Sequence, residues 1–190
     1  MLTKKRCFWV EGAEKNMIEY HDKEWGKPVH HDRQHFEFLI LEAAQAGLSW
    51  RTVLNKREGY RKAFCDFDPK KVAKFSPKHI EKLMLNPAII RNRLKINAAI
   101  TNAKLFLAVQ KEFGSFDKYC WQFVGGKPIV NKNRTRADFR ATSPESDLFS
   151  KDLKKRGFKF VGSTVIYAHM QAVGMVNDHT VDCFRYRLRS

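Results

Sequence analysis

The chain has 190 residues, with 36 lysines and arginines against 20 acidic residues and a formal net charge of +16. The length fits a single domain spanning residues 1–190. No run of eighteen apolar residues exists, which excludes a helical membrane span, and the opening M-L-T-K-K-R-C-F-W lacks the apolar region of a signal peptide. Four cysteines and no export signal place the chain in the cytosol, where thiols stay reduced. The positive charge predicts attraction to a polyanion. It is spread through apparently folded sequence, at Lys4-Lys5-Arg6, Arg91/Arg93/Lys95, Lys154-Lys155-Arg156 with Lys159, and Arg185/Arg187/Arg189. That distribution fits a nucleic-acid-binding face better than a merely soluble basic protein.

Nearly every segment reads helical, and no period-two strand pattern persists. In residues 34–46, Phe36, Leu39, Ile40 and Ala43 fall at helical spacing, with Asp32 as the expected cap. Gly47 breaks that helix, and Ser49 caps a second one to about Lys56. Ser76-Pro77 opens a helix to about Leu85, which Asn86-Pro87 ends. A long, well-buried helix is expected over 91–112 and a short one over 116–123. Residues 125–142 read as a polar, basic loop. Ser143-Pro144 opens a helix to about Arg156, stopped by Gly157; F-K-F-V-G makes a turn; and a last helix runs from Ser163 to about Val173, before Gly174.

Three constellations carry chemistry. Cys7 and His21 stand near one end, His179 and Cys183 near the other. The latter two are four apart and would share a face of a helix. Two thiolates and two imidazoles match a closed tetrahedral zinc site, with no open position for a catalytic water. Cys7 and His21 do not have finger spacing, so ordinary buried cysteines and a Cys7–Cys183 disulfide remain alternatives, although a reducing compartment favours zinc. The second constellation is Glu42 in L-I-L-E-A-A-Q-A-G-L-S-W. It lies toward the apolar side of its helix, where burying a carboxylate is costly without a partner. Trp9, Tyr20, Trp25 and Trp50 stand nearby in sequence; singly such rings are core residues, but around an acid they suit a slot for a flat heteroaromatic base.

The third is the layout of residues 148–174. Helix, Gly157, F-K-F-V-G and helix resemble the helix–hairpin–helix element of DNA-repair glycosylases, with Phe160 where that hairpin usually has glycine. Backbone N–H groups at the start of the second helix favour phosphate. Gly162 admits the sugar-phosphate backbone, and Lys159, Gly162 and Ser163 are the expected contacts, with Lys154, Lys155 and Arg156 adding charge.

Taken in order, C-F-W, Y-H-D-K-E-W-G, L-E-x-x-Q-A-G-L-S-W, I-I-R-N-R-L-K-I, L-K-K-R-G-F-K-F-V-G and V-N-D-H-T-V-D-C resemble the bacterial 3-methyladenine DNA glycosylase I family from about Cys7 to Cys183. The resemblance implies an all-α helix–hairpin–helix glycosylase with a structural zinc site joining the N- and C-terminal segments through Cys7, His21, His179 and Cys183. It implies Glu42 as the pocket acid, Tyr20 and Trp50 as walls with Trp9 and Trp25 close by, and hydrolysis of the N-glycosidic bond of 3-methyladenine in alkylated double-stranded DNA. A monomer is usual for the fold. An ionised Glu42 would accept hydrogen bonds from the adenine edge and select against guanine. Where bifunctional relatives carry a Schiff-base lysine this chain has Ser163-Thr164, so no lyase activity is expected. Asp178 stands near the superfamily's catalytic aspartate, but beside His179 it reads as a supporting group. Met17 replaces an expected pocket tyrosine, and Ala88 stands where glycine is usual. The competing readings are a protein of the same fold that recognises damage but barely cleaves, and a zinc-stabilised architectural DNA binder.

Overall fold

In the computed structural model, which describes residues 4–186, ten α-helices surround one continuous apolar core that runs from Cys7 to Cys183. They are α1 (Lys15–Lys23), α2 (Asp32–Gln45), α3 (Trp50–Leu54), α4 (Arg57–Ala63), α5 (Pro69–Val72), α6 (Pro77–Leu85), α7 (Arg93–Phe113), α8 (Phe116–Trp121), α9 (Pro144–Lys155) and α10 (Ser163–Ala172). Arg187 and Arg189 of the last basic cluster lie outside the described residues.

The organising helix is α2. Every residue from His35 to Ala44 is buried, because α3, α7, α8 and α10 all pack around it. A helix enclosed on all sides needs no polar face, so the single stripe of Phe36, Leu39, Ile40 and Ala43 understates its burial. Asp32 does not cap α2, whose N-cap is His31. Its carboxylate instead accepts from Phe116 N and Asp117 N, both at 2.9 Å, and from Gln110 Nε2 at 2.5 Å. It therefore serves the start of α8, whose first N–H groups have no intrahelical acceptor.

The expected caps at Ser49 and Ser143 accept from Thr52 N and Ser146 N. Residues 125–142 are not wholly loop. Ile129–Val130 (β1) pairs in parallel with Val176–Asn177 (β2), in the register Ile129 with Val176 and Val130 with Asn177. Two residues per strand carry no alternation to detect. The segment after Trp25 lies across the end of α10, with Gly26 N donating to the Gln171 carbonyl at 2.9 Å and Val29 N to that of Val173 at 3.0 Å. Gly174, at φ +70°, permits this crossing, since a Cβ there would sit 2.2 Å from the Lys27 carbonyl carbon. Ala88 is accommodated because Gly59 of α4 faces it: a Cβ on Gly59 would lie 2.2 Å from the Ala88 carbonyl oxygen. Among the described residues no helix is long and apolar enough to cross a membrane.

Candidate active site and metal centre

The fold gathers Trp9, Tyr20, Trp25, Glu42 and Trp50 around one cavity of about 300 Å³. Trp9 and Trp25 meet edge to face with ring centroids 5.0 Å apart, and Tyr20 lies 5.1 Å from Trp50. Met17 lines the same space. So do Phe8, Gln45, Phe139, Ala168 and Gln171, which sequence reasoning did not place there. Ala168 and Gln171 are three apart on α10 and share a face, a signal available once that helix is known to border the site. Phe139 sits in an irregular segment and reaches the cavity beside Phe8, ring centroids 5.0 Å apart; nothing local in the sequence announced it.

Two buried acids on α2 show what sets Glu42 apart. Glu37 is held by two guanidinium groups, Arg57 Nε at 2.8 Å and Arg61 Nη2 at 2.9 Å, as a buried charge requires. Glu42 is 4% exposed and, among the described residues, has no hydrogen-bond partner. Burial pushes its carboxyl up to about 8. Burial alone thus favours the protonated acid in the empty pocket. The Tyr20 hydroxyl is also pushed up, by burial first and by the neighbouring charges of Glu42 and Glu24. The indole Nε1 atoms of Trp9 and Trp50 are buried without partners among the described residues. A pocket with aromatic walls and several unanswered polar atoms is prepared for a flat, polar-edged guest.

Asp178 takes no such part. It is 1% exposed and accepts from Asn131 Nδ2 at 2.6 Å, Asn133 Nδ2 at 3.0 Å, Tyr167 OH at 2.8 Å and Gln171 Nε2 at 2.6 Å. Both oxygens are occupied, so this carboxylate ties α10 and the 131–133 segment together rather than facing the cavity.

Next to the aromatic wall, Cys7, His21, His179 and Cys183 converge, all buried, with donor atoms within 4.8 Å of one another. His179 and Cys183 do not share a helix face. Residues 178–180 follow β2 without regular structure, and a turn closed by Cys183 N on the Thr180 carbonyl, 2.8 Å, brings the thiol back. His179 Nδ1 lies 3.4 Å from Cys7 Sγ and 3.7 Å from Cys183 Sγ, and His21 Nε2 lies 3.5 Å from Cys183 Sγ. The opposite ring nitrogens are spoken for: His21 Nδ1 donates to Asp22 at 2.8 Å and His179 Nε2 to the Trp25 carbonyl at 3.1 Å. Asp22 is in turn gripped by Arg6. Hydrogen bonding to Cys7, His179 and His21 holds the Cys183 thiol far below its ordinary range, while Cys7 is pushed up by that same pairing. The four residues could hold one metal ion.

On the other side of the cavity, α9 and α10 pack as an antiparallel pair joined by residues 156–162. Ser150 Oγ donates to the Val161 carbonyl at 2.6 Å. Phe160 adopts φ +55°, the left-handed conformation that suits glycine. Gly162 caps α10 with open space around its Cα, and the first-turn N–H groups of α10 face out of the helix start. Ser163 is at that start, but its hydroxyl is engaged with Asp147 and Ser146, so only its backbone N–H is offered. Lys154, Lys155 and Lys159 are exposed and lack acidic partners among the described residues. Arg156 differs: it is turned away onto Glu112 and Asp152. The other basic clusters are also partly spent, Lys5 on Asp182, Arg6 on Asp22, Arg93 on Glu81, and Lys95 on the backbone of α2.

Comparison with known proteins agrees over nearly the whole chain. Residues 9–186 match the family model described as methyladenine glycosylase. A DNA-3-methyladenine glycosylase of Haemophilus influenzae is 49% identical over 94% of this chain and 96% of its own length. DNA-3-methyladenine glycosylase 1 of Escherichia coli is 46% identical over 96% and 97%. The solved 3-methyladenine DNA glycosylase I of Staphylococcus aureus, a structure of 3-methyladenine recognition, superposes with a TM-score of 0.92 at 34% identity over 97% of each chain. The chain belongs to the methyladenine glycosylase family.

Proposed function

We propose that this protein is a monofunctional DNA glycosylase that removes 3-methyladenine from alkylated duplex DNA by hydrolysing its N-glycosidic bond. The observation that carries the reading is the ring-walled cavity with Glu42 buried at its edge and unpaired. Methylation at N3 makes the base a cation and a good leaving group, so the damage itself lowers much of the barrier. What remains is to extract the nucleotide from the stack, at a cost of a few kcal/mol, and to hold it. Trp9, Tyr20, Trp25 and Trp50 favour a cationic base over a neutral one. Glu42 meets the adenine edge, and a cation entering the cavity draws the proton off its carboxyl. Guanine presents an acceptor where adenine presents a donor, which an ionised Glu42 rejects.

The α9–α10 pair acts as a helix–hairpin–helix clamp on the phosphate backbone through Lys159, Gly162 and the N–H of Ser163. Leu48, 42% exposed in the turn between α2 and α3, is placed to fill the space vacated by the base. With Asp178 enclosed and Ser163-Thr164 where a Schiff-base lysine would stand, no strand cleavage follows base release. Zinc is the metal that suits Cys7, His21, His179 and Cys183: a tetrahedral ion with bonds near 2.3 Å to sulfur and 2.05 Å to nitrogen requires sulfur–nitrogen edges of about 3.6 Å, against 3.4, 3.5 and 3.7 Å here. When bound it supplies cross-linking only; Asp22 and the Trp25 carbonyl orient the two imidazoles for it. The protein would work as a monomer in the cytosol.

The test is to incubate the protein with DNA treated with a methylating agent and to separate the released bases by chromatography. Free 3-methyladenine with intact strands is the expected result. Tight binding of lesion DNA without release would instead favour the damage-recognition reading, with Met17 as the residue to replace.

A further inference from the structure

Resting on the reading of the hairpin and the 46–49 turn as the two DNA-facing loops, the geometry points to α7 as a strut that fixes their separation, through Lys95 and Asn102. These residues are seven apart, so they stand on one face of the helix, two turns and about 10.5 Å along its axis. Lys95 Nζ donates to the carbonyls of Ala44 and Ala46, at 2.8 and 2.7 Å. Those carbonyls end α2 and begin the turn that carries Leu48; at a helix end they have no intrahelical donor. Asn102 grips the hairpin in both directions. Its Nδ2 donates to the Lys159 carbonyl at 2.9 Å, and its Oδ1 accepts from Lys159 N at 2.8 Å. The adjacent Phe160 is the hairpin residue held at φ +55°.

Asn102 is the one fully buried polar residue of α7 among the described residues, at 2% exposure amid Ile96, Ala99, Ala103 and Phe106. A two-way bond from one amide to one backbone position adds direction more than stability, and direction is what a strut supplies. Neither Lys95 nor Asn102 lines the cavity, so each acts on the reaction only through the loop it holds. They are positioning residues: the pocket turn and the hairpin must meet one duplex at the same time, and misplacement by about 1 Å slows a reaction about 100-fold.

The test uses the full chain with Asn102→Ala, Lys95→Met, Asn102→Asp and Lys95→Arg. Single-turnover release of 3-methyladenine from methylated duplex is compared with binding of the free base, followed by tryptophan fluorescence. Asn102→Ala and Lys95→Met should slow release about 100-fold while changing free-base affinity by no more than about twofold. Lys95→Arg, which keeps a donor, should restore most of the rate. Asn102→Asp, which sets an unpaired carboxylate against the Lys159 carbonyl in a buried site, should slow release at least as much as Asn102→Ala. Release at the unmodified rate in Asn102→Ala or Lys95→Met overturns the strut. So does a fall in free-base affinity parallel to the rate, because the residues would then be supporting the pocket itself. If the truncations do not fold, an unaltered rate in Asn102→Asp overturns it. No release by the unmodified protein would strike the glycosylase reading first, and the strut with it; release by the unmodified protein with unaltered variants strikes the strut alone.

Discussion

Replacing Glu42 with glutamine should make the protein more stable, increasingly so as the pH rises. In the unfolded chain a glutamate ionises near 4.5, whereas the buried carboxyl keeps its proton to about 8. Between those values the unfolded state has lost a proton that the folded state retains, so stability falls with rising pH. The slope is about 1.4 kcal/mol per pH unit, and the interval from 4.5 to about 8 amounts to about 5 kcal/mol for a carboxyl this enclosed. Glutamine has nearly the same shape and no proton to lose. The difference in unfolding free energy, variant minus parent, should be near zero at pH 4.5, widen by about 1.4 kcal/mol per unit, and level off above pH 8. Urea titrations of both proteins at pH 5, 6, 7 and 8 measure it, and the thiols and histidines, common to both, cancel. Two parallel curves would refute the reasoning, since they would mean that Glu42 finds a partner or enough water to ionise normally.

Further measurements bear on the rest of the site. The same Glu42→Gln change should slow release of 3-methyladenine strongly while leaving affinity for undamaged duplex within about twofold; equal release removes Glu42 from the mechanism. Purified protein should contain about one zinc per chain by elemental analysis, with a chelator lowering its melting temperature; a metal-free protein of unchanged stability would rule out the cross-linking zinc. Lys159→Ala should reduce the slope of log affinity against log salt by about one, and Arg156→Ala should leave it unchanged because Arg156 is neutralised by Glu112 and Asp152. Gly59→Ala should destabilise by up to about 2 kcal/mol in thermal melts: overpacking against the Ala88 carbonyl costs about 1–3 kcal/mol, and better helix propensity returns only about 1.

Much of this could be read before the fold was known, for identifiable reasons. Caps at Ser49 and Ser143 are local devices, and local devices show in sequence. Glu42 was legible as an acid among apolar neighbours, and the four metal-binding candidates as rare residue types. What escaped depended on distant segments. Asp32 looked like a cap for the helix that begins with it, yet it serves α8, more than eighty residues on. Arg156 looked like part of a free basic patch until Glu112 of α7 met it. The ionisation of Glu42 could not be judged without knowing that no arginine reaches it, as two reach Glu37. Phe139 joined the pocket only through the folding of a segment with no regular pattern.

The buried cluster of Cys7 and His179 joins residues 172 apart in the chain, and it braces the wall formed by Trp9 and Trp25. During synthesis those rings emerge well before half of their brace, since His179 lies 154 residues downstream of Trp25. A nascent chain therefore carries aromatic walls backed only by His21 until His179 and Cys183 have left the ribosome. A message cut short just before the codon for His179 yields a chain with the aromatic rings and most of its charge but without the supported pocket, so the capacity to hold a lesion waits on the last two members of that cluster.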